Sequence, residues 1–339
     1  MATLVEKKLG EHQFQILFLT DDREDYLSDG ILHGLKNTPG IQVTDYPKKN
    51  CLYQTYLEAN DFGVRGGGFS LYGLLDELPS EIQREHIQQK LERGWFDLVV
   101  ISNIWRQWGL LIQWESLLGT NCKLAILDGD DDERFYPTSA TRIRKFGPTR
   151  WLRRLINNKD TIYFKREWTN KTNHWPYKCI IKHLSFSIPA EKIRSTLLKK
   201  TRLFPDHIVD QEVCDLLGGQ VHYAFSSETE YRQNLGESRF GITTKRGGWE
   251  CLRHYEIAAN GAIPCFRELN QKPITCAPHG LIDGINCISY SNAQELMRRI
   301  NQLSSQEEER MREAALVWAR ISSTQVRAHE LLKAMNISL

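Results

Sequence analysis

The stretch at 238–266, SRFGITTKRGGWECLRHYEIAANGAIPCF, constrains the fold more than any other part of the chain. It reads as a short strand (240–243), a glycine turn carrying Lys245 and Arg246, a helix over about 248–260 and a second strand at 262–266. This reading puts both cations just before a helix N-terminus that begins at Gly248, where unpaired N–H groups already make the potential positive. Two cations there are destabilising unless an anion joins them, and a phosphate or diphosphate satisfies cations and N–H groups together. Within the helix, Glu256 precedes Ala258, Ala259 and Gly261, residues small enough for close approach. A carboxylate on such a face can accept hydrogen bonds from a ribose diol. Arg253 lies three residues earlier on the same side and can reach either Glu256 or the phosphates. The plainer alternative is an intrahelical Arg253–Glu256 pair beside a packing glycine.

The rest of the chain supplies a second unit of similar type. The run at 14–20 (FQILFLT) has buried-strand length and ends at Asp21-Asp22; a helix over about 26–37 and a strand at 41–46 follow. Such a β-α-β start opens a parallel, doubly wound sheet, whose ligands gather at the carboxyl ends of its strands. An acidic pair after a first strand also suits a phosphoacceptor receiver domain. That fold needs a further aspartate at the end of a later strand, whereas Asp97 begins its strand. Asp21 or Asp22 either faces the cleft or caps the following helix.

A glycine-rich loop at 63–73 lacks a phosphate-loop pattern and reads as a close-approach loop or a surface turn. A helix at 80–93 leads to a strand at 97–102, a helical run at 108–118 and a strand at 122–127. That strand ends in DGDDDERF, from Asp128 to Phe135. Four aspartates at a strand end invite a metal-binding reading, but the spacing excludes a calcium-binding EF-hand loop. Asp128 and Asp130 are read as cleft residues, one a candidate general base for an acceptor hydroxyl. Lys245, Arg246 and a helix end supply positive charge, so neither a metal nor a separate cofactor is expected.

The segment 142–154 (RIRKFGPTRWLRR) carries six cations and no anion. It reads as a solvated basic face or as a peripheral contact with an anionic membrane. Strands at 161–167 and 179–183 close the first unit, and a linker begins near 186. Helices at 211–217 and 228–235 and a strand at 221–225 precede the central segment. His279, in the Pro278-His279-Gly280 turn, is read either as a phosphate donor or as an ordinary turn residue. A strand at 286–290 and a helix at 293–303 follow, and the remainder from 306 is helical. There Met311, Ala314, Ala315 and Trp318 form a core-facing stripe.

The 339-residue length suits two domains: 1–186, to which a terminal helix over 306–339 returns, and 187–305. Forty-four basic against 42 acidic residues leave a net charge of +2, so no nucleic-acid partner is expected. Eight cysteines without a CxxC pair, and no apolar 18-residue run, point to a cytoplasmic protein, peripheral at most to the inner face of a membrane.

The Arg-Gly turn followed by Arg253, Glu256, Gly261 and Ile263-Pro264 resembles the nucleotide-sugar site of GT-B glycosyltransferases, of the exostosin-like and bacterial family-one-like groups. The resemblance covers about 30 residues closely and most of the chain loosely, and the 165–167 segment resembles a recurring piece of the bacterial members. It implies two Rossmann-like domains facing a cleft, with a C-terminal helix crossing back to the first. It further implies transfer of a sugar from a nucleoside-diphosphate donor to a glycan, lipid-linked or small-molecule acceptor. Lys245, Arg246 and Gly248 would hold the diphosphate, Glu256 the ribose, Arg253 would orient the ribose or contact a phosphate, and His279 would meet a phosphate, sugar or base. The common retaining members carry two glutamates eight apart, whereas Glu250 and Glu256 are six apart, so inversion and retention both stay open. Asp22 and Asp128 are the candidate bases for inversion. A non-catalytic protein binding nucleotide sugars or glycans on the same fold is the alternative.

Overall fold

A computed structural model describes residues 13–55, 70–76, 84–118, 122–134, 158–172, 180–222, 225 and 227–338. The apolar runs of the first half become buried parallel strands. β1 (Phe14–Leu19) is followed by α1 (Tyr26–Lys36) and β2 (Ile41–Tyr46). Asp25 caps α1, its Oδ1 accepting from Ser28 N at 3.1 Å. Then come α2 (Ile87–Glu92), β3 (Leu98–Ile101), α3 (Trp108–Gln113), β4 (Lys123–Asp128), β5 (Thr161–Lys165) and β6 (Ile181–His183). The sheet order is β2-β1-β3-β4-β5-β6, every pair parallel. The order reverses between β1 and β3, and such a switch point opens a crevice at the carboxyl ends of the strands.

The second half opens with α4 (Gln211–Leu217) and α5 (Glu228–Glu237), followed by β7 (Phe240–Thr243), α6 (Leu252–Ala259) and β8 (Ile263–Arg267). β9 (Ile288–Tyr290) and α7 (Ala293–Gln302) complete a parallel three-stranded sheet, β7-β8-β9, with its helices. This is an α/β architecture of two Rossmann-like units facing a cleft. The strand expected at 221–225 lies partly outside the described residues, and its described start is a bend. The glycine run 66–68 and the basic segment 142–154 also lie outside them.

The helical tail is two helices, α8 (Ser305–Ile321) and α9 (Thr324–Ala334). A Ser304–Glu307 capping box starts α8, and its Met311, Ala315 and Trp318 are buried as the stripe requires. The break at Ser322-Ser323 is where the tail meets the linker between the two units. Ile188 N donates to Ser322 O at 3.1 Å and Thr324 N donates to Ile188 O at 3.0 Å, so the interrupted helix leaves few backbone groups unpaired. From there α9 packs along α1. His33 Nδ1 lies 2.9 Å from Thr324 Oγ1, and Tyr255 of α6 stacks on Trp318 of α8 at 4.8 Å. One apolar core therefore runs from β1 and α1 through Leu252, Tyr255 and Trp318 to Leu331. No helix among the described residues is long and apolar enough to cross a membrane.

The α1–α9 contact depends on Gly34, because a Cβ there would overlap the carbonyl of Thr324 and touch Ala328 at 3.0 Å. Gly34→Ala should lower unfolding stability by about 1–3 kcal/mol in denaturant titration, the usual range for overpacking. Gly109→Ala, in α3 with nothing within 4 Å, should be neutral or slightly stabilising. Equal effects at the two positions would refute this account of the seam.

Candidate functional site

The carboxyl ends of the two sheets enclose a cavity of about 430 Å³. Glu24, Asp25 and Tyr26 enter it from the β1–α1 turn, Arg106 from beyond β3, Gly129–Asp131 from beyond β4 and Arg166 from the end of β5. From the second unit come Tyr231 of α5, Arg246, Glu250 and Cys251 of the β7–α6 loop, and Leu252, Arg253 and Glu256 of α6.

Arg166 ties these pieces together. It is 2 % exposed, and its Nε donates to Gly129 O at 2.7 Å. Its Nη1 donates to Glu167 Oε1 at 2.7 Å and to Glu250 O at 3.3 Å, and its Nη2 pairs with Asp131. Glu167 in turn accepts from Glu250 N at 3.2 Å. The β7–α6 loop can approach this cluster because Gly247 and Gly248 lack side chains. A Cβ on Gly247 would overlap Asp131, and one on Gly248 would overlap Glu167. Gly248 thus acts as a spacer beside the cluster and is absent from the cavity wall.

These contacts also correct the expected start of the helix. α6 begins at Leu252, with Cys251 as its N-cap, instead of at Gly248. Glu250 N is bound to Glu167, and Glu250 Oε1 accepts from Phe186 N at 2.8 Å and from the Tyr255 hydroxyl. Tertiary contacts outbid helix propensity over 248–251. Lys245 and Arg246 consequently sit in a loop ahead of the helix. Arg246 lines the cavity, while Lys245 is exposed with its ammonium 4.7 Å from the centre of the Trp249 ring. Lys245 is thus absent from the cavity wall.

Arg253 and Glu256 both line the cavity from α6. Arg253 Nη1 is buried without a hydrogen-bond partner. Glu256 is buried and already holds two hydroxyls, Ser70 on Oε1 at 2.8 Å and Tyr231 on Oε2 at 2.7 Å. No Arg253–Glu256 ion pair within 4 Å is found among the described residues, although the charge of Arg253 acts on Glu256 from a longer distance. Burial raises the Glu256 pKa, against the pull of these two hydroxyls. Ser70 belongs to the described end of the glycine-rich loop, which reaches the site even though its centre lies outside the described residues.

The acidic residues of the first unit sort differently from expectation. Asp22 is exposed and absent from the cavity wall; its carboxylate accepts from Asn50 N and Nδ2, both at 2.9 Å. Asp128 is also absent from that wall, taking the Tyr163 hydroxyl at 2.5 Å and Lys165 Nζ at 3.0 Å. Neither aspartate faces the cavity as a base would have to. Asp130, the other aspartate read as a cleft residue, does line the cavity, as do Asp131 and Asp25, and Asp25 is raised to about 7 by burial and by the neighbouring Asp29. His279 is likewise outside the cavity. Its ring meets His183 at 5.1 Å, its carbonyl accepts from Trp318 Nε1 at 2.8 Å, and burial lowers its pKa to about 4. Among the described residues no group of three or more His, Cys, Asp or Glu is arranged to hold a metal ion.

Sequence reasoning missed Asp25, Arg106, Arg166, Tyr231 and Cys251 as wall residues. A helix cap is the only local signal Asp25 carries, and Tyr231 carries none. Glu250 also stands at the wall, with burial holding its pKa at about 7 against the pull of Arg166, and its Oε2 has no partner. Because its folded pKa lies above the ordinary 4.5, its protonated form favours folding below that value. That contribution is lost as pH rises through about 7. Glu250→Gln should therefore flatten the fall in melting temperature between pH 5 and pH 8. An unchanged slope would assign that fall to other groups.

No family model matches the chain, and no curated protein matches it by sequence. Solved structures do match. A glycosyltransferase from Rickettsia africae aligns over 96% of this chain and 98% of its own, at 11% identity and a TM-score of 0.57. HepE of Anabaena, crystallised with UDP and glucose, aligns over 96% and 99%, at 11% identity and a TM-score of 0.55. The trehalose-6-phosphate synthase OtsA aligns over 96% and 99%, at 10% identity and a TM-score of 0.51. With its two parallel sheets, the cavity between their carboxyl ends and a terminal helix returning to the first unit, the chain has the GT-B glycosyltransferase fold.

Proposed function

We propose that the protein transfers a glycosyl group from a nucleoside-diphosphate sugar to an acceptor hydroxyl or similar nucleophile, without a metal ion. The observation that carries this reading is Arg253 Nη1, a buried donor without a partner in the wall of the cavity. Leaving such a group unpaired costs about 1–3 kcal/mol, which an anionic ligand would recover. Arg246 lines the same wall, and Cys251 at the N-cap of α6 makes no side-chain capping bond, so no cap side chain covers the helix N-terminus. The diphosphate gains negative charge as the glycosyl bond breaks, so these groups stabilise the transition state more than the bound donor. Arginine charge takes the part a divalent ion would otherwise play.

Glu256 is the ribose ligand in this scheme. Each carboxylate oxygen has two lone pairs, so Ser70 and Tyr231 leave acceptor capacity while fixing the group's orientation. On the acceptor side Asp25 replaces Asp22 and Asp128. If the enzyme inverts, Asp25 removes the proton of the attacking hydroxyl, and a pKa near 7 suits that task. If it retains, no such base is required. HepE has been crystallised with UDP-glucose, and a trehalose-6-phosphate protein from E. coli with UDP-2-fluoro glucose, which makes uracil the first base to try.

Thermal-shift titration against nucleotide sugars should find a donor that raises the melting temperature, since only the native state binds it. Arg253→Ala should weaken nucleoside-diphosphate binding at least about tenfold while changing nucleoside binding little. Equal losses for both ligands would remove the diphosphate contact. Asp25→Asn should cut kcat strongly with donor affinity nearly unchanged if the reaction inverts. Slow donor hydrolysis that survives EDTA would support metal-free transfer. Donor binding with neither hydrolysis nor transfer would favour a non-catalytic binding protein.

A further inference from the structure

Cys251 stands apart from the other described cysteines, and the proposed transfer gives it no task. It is half-buried and lines the cavity at the N-cap of α6. Its sulfur lies 3.6 Å from Thr243 Oγ1 and 3.6 and 3.8 Å from the two ring nitrogens of His254. His254 is itself held on both sides: Nε2 is 3.0 Å from the Trp249 carbonyl and Nδ1 is 2.8 Å from Thr243 Oγ1. A carbonyl only accepts, so Nε2 carries a proton and Nδ1 is the nitrogen available to take another. Thr243 touches both Nδ1 and the sulfur, and so forms a one-hydroxyl relay between thiol and imidazole. The thiol gives its proton to Thr243 Oγ1 as Thr243 gives its own to Nδ1. The products are a thiolate and an imidazolium in the same contact.

The surroundings favour that pair. Arg253 and Arg246 stand on the same wall, while Arg166, Glu250 and Asp131 face the cavity from the cluster beside it. Burial opposes ionisation of the thiol, but His254 and Arg253 outweigh it and bring its pKa to about 6. Cys51, Cys276 and Cys287 are raised to about 12 by burial, and Cys214 and Cys265 are raised as well. Glu250, 3 % exposed with Oε2 unpartnered, lines the same cavity and provides a second unsatisfied polar group there.

We propose that Cys251 is a modification site, a thiolate held by the Thr243–His254 pair and open to small soft electrophiles, peroxides above all, that enter the cleft. The thiolate attacks one peroxide oxygen, so that an S–O bond forms and the O–O bond breaks. The departing hydroxide takes the His254 proton to become water. Sulfur is oxidised by two electrons to the sulfenic acid and the peroxide is reduced by two.

The test needs no nucleotide, so its outcome is independent of the proposed transfer. The native full-length chain at pH 7 is treated with limiting iodoacetamide, and separately with hydrogen peroxide plus a sulfenic-acid trap, and its cysteines are mapped by mass spectrometry. Iodoacetamide forms an S–C bond as iodide leaves. Cys251 should be labelled ahead of the other described cysteines by both reagents. In His254→Gln, checked for native fold by circular dichroism, the pKa returns toward the ordinary 9. The thiolate fraction at pH 7 then falls, only partly offset by the greater nucleophilicity of a more basic thiolate, so iodoacetamide labelling should slow about two- to fourfold. Thr243→Val, which removes the relay hydroxyl, should slow it in the same direction. Labelling of Cys251 no faster than the buried cysteines, or unchanged rates in both folded variants, would overturn the proposal.

Discussion

The structure depends on the buried guanidinium of Arg166. It stands at the carboxyl end of the first sheet and reaches the backbone beyond β4, the side chain of Glu167 and the loop that leads into α6. A buried cation is tolerated only where several acceptors replace its water, and here Gly129, Asp131, Glu167 and Glu250 supply them. The same contacts position the second unit's cavity-lining loop. Removing the arginine would leave Glu167 buried without its cation, which is costlier than never having had the pair.

From that tie the remaining properties of the cavity follow. Gly247 and Gly248 are required because the loop lies against carboxylates and guanidinium with no room for a Cβ. Glu250 turns inward to hold Phe186 N and the Tyr255 hydroxyl, which delays the helix and leaves Cys251 as its cap. The late start brings Arg253 and Glu256 onto the cavity wall, one with an unpaired donor and the other with two fixed hydroxyls. Burial without full pairing then raises Glu250 and Asp25 to about 7, the range in which proton transfer near neutral pH is efficient.

Much of the architecture was legible in the chain. The run 14–20, the strands at 41–46 and 240–243 and the stripe Met311, Ala315, Trp318 carry periodicities that hold wherever they pack, because burial selects apolar residues at fixed spacing. The placing of Arg246, Arg253 and Glu256 at one cavity was also legible, since all three lie within a single strand–loop–helix unit. The start of α6 was not. Helix propensity is a local quantity, and Glu250 is held by Glu167 and Phe186, residues 83 and 64 positions away in the chain.

The sequence by itself determined the class of fold and the strand–loop–helix segment from which Arg246, Arg253 and Glu256 line one cavity. Those properties are set by hydrophobic period, glycine placement and residue charge, which do not change with the partner. Only the tertiary structure decided which acidic residues face the cavity. Asp22 and Asp128 follow or close strands and Asp25 caps a helix, yet Asn50 takes the first, Tyr163 and Lys165 take the second, and of these three only Asp25 joins Asp130 and Asp131 on the cavity wall. The acidity of Cys251 was decided in the same way, because it depends on the distances of Thr243 and His254 from one sulfur atom. A carboxylate or a thiol has its chemistry fixed by neighbours within a few ångströms, and the fold chooses those neighbours.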